Sequence, residues 1–210
     1  MRHARRLAVI LFGALTLGVG GAEAQQHGGL SITPFVGGLV PTSSLGQLRV
    51  GGLTATPTVF EGEMKTAGAL GARVGYRFGS RWGLEGSYFY STSDFRSTGL
   101  PFSATVDASV QGGTLEAFYQ LTTEGTGTDL LITAGVAGVS HGGPAFQLAR
   151  DQFDVGGTIG AGLHIVMTQQ LTLRFDGDLL VYPWSAGPGF PNALQTDLLM
   201  TIGVGFSFNR

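Results

Sequence analysis

The side chains able to carry ion or proton chemistry are few in this sequence, and they share a setting. Arg73, Arg77, Glu85, Glu116, Asp154, His164, Arg174, Asp176 and Asp178 each sit between neighbours that are apolar or glycine. In an extended chain adjacent residues point to opposite faces, so all nine belong to the face away from the apolar side chains. If that face is an enclosed lumen, two chemistries are open: an ion path or gate, or a set of buried charges that pair because isolated ones are costly. Opposite charges within diagonal reach in a narrow lumen favour the structural reading. His164 has no second His or carboxylate at ligand spacing, so it is expected to accept a hydrogen bond from Arg174 rather than bind metal, and neither metal nor cofactor is expected. Ser140-His141, with Asp151 and Asp154 near in sequence, invites a hydrolase reading. Adjacent residues of a strand face opposite ways, which is poor geometry for a nucleophile and its base, and the protein is expected not to be an enzyme. Gly71-x-x-x-Gly75 lies within an alternating segment rather than before a helix, so it is no phosphate-cradling loop.

The elements that must hold these residues are strands. Leu70, Ala72, Val74, Tyr76 and Phe78 alternate with Gly71, Arg73, Gly75 and Arg77, and Trp82, Leu84, Gly86, Tyr88 and Tyr90 alternate with Gly83, Glu85, Ser87 and Phe89. Pairing Phe78 with Trp82 keeps the apolar sets on one face and leaves 79–81 as the turn, which sets Glu85 across from Gly75 and diagonal to Arg73 and Arg77. The same pattern runs through 153–167 and 171–181, where pairing Met167 with Leu171 puts His164 opposite Arg174, and through Met200, Ile202, Val204, Phe206 and Phe208. Three further strands are less regular. Residues 30–39 contain Pro34, which suits an edge or a bulge. In 107–121, Ala108 and Val110 fall out of phase with Leu115, Ala117, Tyr119 and Leu121, which a bulge at Gly112-Gly113 would reconcile. In 128–140, Leu131 and Val139 blur the phase of Leu130, Ile132, Ala134 and Val136.

Eight strands result, joined by long segments at about 40–68, 96–106, 141–152 and 183–194 and short ones at 79–81, 122–127 and 168–170. They are preceded by Arg2, Arg5 and Arg6, an apolar run from Leu7 to Val19, and Ala22-Glu23-Ala24, the three parts of a cleavable signal peptide. Residues 1–24 are therefore expected to be removed, leaving 25–210 as one domain. Taking Arg2, Arg5, Arg6 and Glu23 from 12 basic and 14 acidic residues leaves 9 and 13, a formal charge of −4. With a single lysine, Lys65, that balance argues against nucleic acid as a partner. There is no cysteine and hence no disulfide.

Alternation alone also fits a soluble lipocalin-like barrel with its apolar face inward. Composition separates the two. Only 12% of residues are charged and 36 of 210 are glycine, where soluble domains carry about 25% charge and about 7% glycine. A water-facing wall needs many mixed charges; these polar faces are mainly Gly, Ser and Thr. No later segment is a long unbroken apolar run, so a membrane-spanning form must be a closed barrel. Aromatics gather toward the strand ends, with Phe78, Trp82, Phe206 and Phe208 at the short-turn side and Tyr88, Tyr90, Phe153 and Tyr182 at the long-loop side, as interfacial girdles do.

In strand count, loop asymmetry and the alternating last strand, the chain resembles the small outer-membrane β-barrels of the OmpA-like and OmpX-like group. The resemblance implies an all-β, eight-stranded antiparallel up-and-down transmembrane barrel in the cell outer membrane, its lipid against the apolar wall. It also implies that Met200, Ile202, Val204, Phe206 and Phe208 form the strand read by the outer-membrane assembly machinery, here with Asn209 and Arg210 after the last aromatic. Nothing in the chain resembles the peptidoglycan-binding domain that some members append. The expected role is structural or surface-interacting, with any extracellular ligand borne by the long loops. Loop 40–68 carries Glu61, Glu63 and Lys65, and loop 183–194 carries Pro183, Trp184, Pro188 and Pro191. A narrow pore or carrier for small or apolar solutes is the second reading and a lipid-modifying enzyme the third.

Overall fold

The computed structural model describes residues 29–43, 47–50, 58–98, 104–122, 127–144, 153–184 and 193–208. The expected signal peptide, Asp151, Pro188, Pro191, Asn209 and Arg210 lie outside these residues. Ten strands are formed: β1 (Gly29–Pro41), β2 (Gln47–Val50), β3 (Thr58–Met64), β4 (Ala67–Arg77), β5 (Trp82–Thr98), β6 (Ala104–Gln120), β7 (Thr128–Gly142), β8 (Phe153–Val166), β9 (Leu171–Trp184) and β10 (Ala193–Phe208). Eight of them close a ring in the order β1-β4-β5-β6-β7-β8-β9-β10, with β10 pairing back onto β1, and every neighbour is antiparallel. Closure leaves no edge among these eight, which is what allows strands to stand in a medium that cannot hydrogen-bond.

The registers follow the alternation. Gly75 pairs with Glu85, His164 with Arg174, and the Phe78 and Met167 amides close their turns onto Trp82 and Leu171. One parity of each strand faces outward as a belt: Val36, Leu70, Leu115, Val136, Ile159 and Met200 are each more than half exposed. So wide an apolar surface is tolerable only against lipid or a partner.

Several sequence expectations are corrected. No bulge occurs at Gly112-Gly113: β6 runs in unbroken register against both β5 and β7. Ala108 and Val110 simply point inward and are buried, as are Leu131 and Val139, and Val110 and Val139 belong to an apolar cluster in the lumen. Pro34 sits on neither an edge nor a bulge. Its strand is paired on both sides, and the β1–β10 ladder skips Thr33 and Pro34, where the missing N–H cannot donate, while the β1–β4 ladder continues. Segment 40–68 is not a simple loop, since β2 and β3 form a hairpin there and β3 pairs with the far end of β5. Segment 96–106 is strand at both of its ends, because the β5–β6 ladder extends to Ser97 and Ala104. The β-branched Thr98, Thr105 and Val106 suit those strand ends. Finally, Tyr182 belongs to no girdle, and Trp184 to no loop. Both are buried on the inward parity of β9.

Candidate functional site in the barrel lumen

The inward parity of the eight ring strands builds a lumen in layers. Nearest the short turns, Arg77 (β4) bonds to Gln120 (β6) and to the Ser80 carbonyl, and its guanidinium carbon lies over the Phe118 ring, 5.5 Å from the centroid. Gln120 in turn donates to Asp129 of β7 at 2.7 Å. Phe118 has room because its cross-strand neighbour is Gly83, where an added Cβ would stand 2.1 Å from the ring.

Above this lies a buried ion network. Arg73 reaches Asp178 at 2.7 Å, Glu85 at 3.3 Å, Asp176 at 3.9 Å and Glu116 at 4.0 Å, and donates to the Thr201 hydroxyl at 3.1 Å. Arg174 holds Glu85 through both guanidinium amines, at 2.6 and 2.9 Å, and Asp176 through Nε at 3.2 Å. Thr158 donates to Glu116 at 2.9 Å, and His164 Nε2 lies 2.9 Å from Asp176. Against a carboxylate that nitrogen is the donor, so His164 donates to Asp176 instead of accepting from Arg174. The two-amine grip of Arg174 on Glu85 gives orientation as well as charge. The side chains of its ionisable members are no more than a tenth exposed, so a charge left unpaired there is costly.

Phe35 separates this network from what lies above it, its ring 5.1 Å from the Arg73 guanidinium carbon. It packs over Gly71, where a Cβ would meet the ring at 2.5 Å. From here the lumen is apolar: Phe35, Leu39, Phe89, Val110, Val139, Leu180, Leu199 and Trp184 form one buried cluster. At its long-loop margin, Tyr182 donates to Asp197 at 2.5 Å and lies 3.3 Å from His141 Nε2, while Gln195 donates to Asp197 at 3.0 Å.

Of the nine residues singled out from sequence, Arg73, Glu85, Glu116, His164, Arg174, Asp176 and Asp178 meet in the ion network. Arg77 turns instead to the short-turn layer. Asp154 lies apart, paired in register with Val139 near the long-loop end. His141 points into the lumen while Ser140, its neighbour, belongs to the other face, so the two do not form a nucleophile and base. Met200, Ile202, Val204, Phe206 and Phe208 all face outward on β10. The sequence reading missed Gln120, Asp129, Thr158 and Thr201 in the polar layers and Tyr182, Gln195 and Asp197 at the top. Their signal was the same parity: Tyr182 stands four residues after Asp178, and Asp197 four before Thr201.

An outward apolar belt, a closed ring of eight antiparallel strands and a lumen filled with paired charges define a transmembrane β-barrel, the only strand architecture that satisfies its backbone in lipid. The sequence comparisons give the family. Residues 12–209 match the model of the outer membrane protein beta-barrel domain, and the chain belongs to that family. Its place is therefore the cell outer membrane. No curated protein matches the sequence. Among solved structures, the outer membrane protein OprG from Pseudomonas aeruginosa is 13% identical, with 89% of this chain and 98% of that one covered and a TM-score of 0.66. The outer membrane protein AlkL is 13% identical, covering 92% and 96%, with a TM-score of 0.58. At such identities the likeness is one of fold.

Proposed function

We propose that this protein is a non-catalytic outer-membrane barrel with a structural and surface-interaction role, its long-loop end outward and its short turns in the periplasm. The observation that carries the reading is the filled lumen. The short-turn layer, the ion network and the apolar cluster succeed one another with buried side chains at each level, which leaves the scaffold rigid and closed. Its outward end is built to present a surface: β5 and β6 are 17 residues each, where about 9–11 suffice to cross the bilayer. Their surplus length, with the β2–β3 hairpin laid beside it, continues the wall beyond the lipid. Outer-membrane lipid then covers the belt, and β10 is the strand offered to the assembly machinery.

Planar-bilayer recording of the refolded protein tests the closed lumen. No steady unitary current is expected, and a reproducible open channel would overturn the reading. The apolar upper lumen favours a second role, carriage of a small apolar solute, which solute uptake into proteoliposomes would reveal. Lipid analysis after incubation with purified outer membranes is expected to show no modification.

A further inference from the structure

The ion network is unbalanced. Arg73 and Arg174 supply two positive charges, and Glu85, Glu116, Asp176 and Asp178 supply four carboxylates, all with side chains less than a tenth exposed. The arginines do not serve the four equally. Glu85 takes both amines of Arg174 and one of Arg73, Asp176 takes Arg174 and His164, and Asp178 takes the closest approach of Arg73. Glu116 is left with a single contact to a guanidinium, at 4.0 Å, and its Oε2 has no hydrogen-bond partner although the side chain is wholly buried. Its position makes this worse. Glu85 and Glu116 are direct register partners on β5 and β6, a like-charge pair on one face, and on the β7 side its partner is Gly135, which brings no charge. The groups facing it from elsewhere are Arg73 on β4, Thr158 and His164 on β8, and Arg174, Asp176 and Asp178 on β9.

We propose that Glu116 is a proton-binding site of the lumen: the folded barrel keeps this side chain as a neutral acid at neutral pH. A buried carboxyl beside a like charge sheds its own charge by taking up a proton. The acid has a place to donate, because the Thr158 hydroxyl 2.9 Å from Oε1 can accept as well as donate. The unfolded chain releases the proton into water, so folding takes one up. Stability then falls as pH rises above the range in which a glutamate of the unfolded chain ionises, by up to tenfold in the unfolding constant per pH unit, and levels off once the folded barrel gives the proton up.

Infrared spectroscopy of the protein refolded in phospholipid vesicles tests this directly. At neutral pH a protonated-carboxyl C=O band is expected, shifting when only glutamate is carbon-13 labelled and disappearing in Glu116→Gln. Absence of the band, or a band unmoved by the label, would overturn the proposal; the labelled wild type decides even if the variant refolds poorly. Urea unfolding between the ordinary glutamate range and neutral pH gives the second readout. The wild type is expected to weaken with pH and Glu116→Gln to lose that slope, and equal slopes would place the proton elsewhere.

Discussion

Replacing Arg73 with methionine probes whether the lumen is a dry, paired interior. The guanidinium is 1% exposed and lies within 4.0 Å of side-chain oxygens of Glu85, Glu116, Asp176 and Asp178. Methionine fills most of its volume and can still pack on Phe35, so the change removes mainly charge. It leaves Glu85, Asp176 and Asp178 with Arg174 as the one remaining guanidinium of the network, and removing one partner of a buried pair costs about 3–5 kcal/mol. That is at least a hundredfold in the unfolding constant, at about 1.4 kcal/mol per decade, out of a total of roughly 5–15 kcal/mol. Urea unfolding in phospholipid vesicles, followed by the fluorescence of Trp82 and Trp184, measures it. Adding Asp178→Asn removes the carboxylate 2.7 Å from Arg73 and is expected to recover part of the loss, a coupling of about 0.5–3 kcal/mol. A loss below about 1 kcal/mol would match an exposed ion pair. It would refute both the dry network and the sealed lumen built on it.

Other perturbations reach other layers. Gly83→Val puts a branched side chain where even a Cβ lies 2.1 Å from the Phe118 ring and 2.6 Å from the Tyr76 carbonyl, and refolding yield on heat-modifiability gels should fall sharply. Val136→Arg, on the outward face in mid-strand, should destabilise the barrel in lipid by about 2–4 kcal/mol, while Met167→Arg at the short-turn interface should cost about 0–1 kcal/mol; equal costs in vesicle unfolding would argue against the belt. Tyr182→Phe removes the hydroxyl that donates to buried Asp197, and about 1–3 kcal/mol should be lost in the same assay.

Much of the barrel was legible because a period of two leaves little freedom. Once Phe78 was set against Trp82 and Met167 against Leu171, the inward positions of Arg73, Glu85, His164 and Arg174 followed. Which inward residues touch was less legible, since contact across a lumen depends on strand tilt and side-chain reach. Arg77 and Arg73 share a phase, yet one turns to Gln120 and the other to Asp178. The strongest misreading came from assuming that the inward face is polar throughout. Val110 and Val139 looked like errors of phase, and Tyr182 like an interfacial aromatic, because nothing local reveals that the upper lumen is itself an apolar core. The β2–β3 hairpin escaped for a different reason: a four-residue strand is too short for alternation to show.

The seam between β1 and β10 has a consequence for how the barrel can form. Ladders such as β4–β5, β7–β8 and β8–β9 join strands adjacent in the chain and can zip locally. The seam must bring Leu30 to Phe208, from opposite ends of the described chain, and it does so through a ladder interrupted at Thr33-Pro34. Its loop-closure entropy is met only when most of the molecule is already in place. The half-made barrel is therefore an open sheet with two unsatisfied margins, prone to pairing with other chains. Escorting those margins until they meet is the kinetic problem this topology sets, and substitutions at the seam should alter the rate of closure more than the architecture that results.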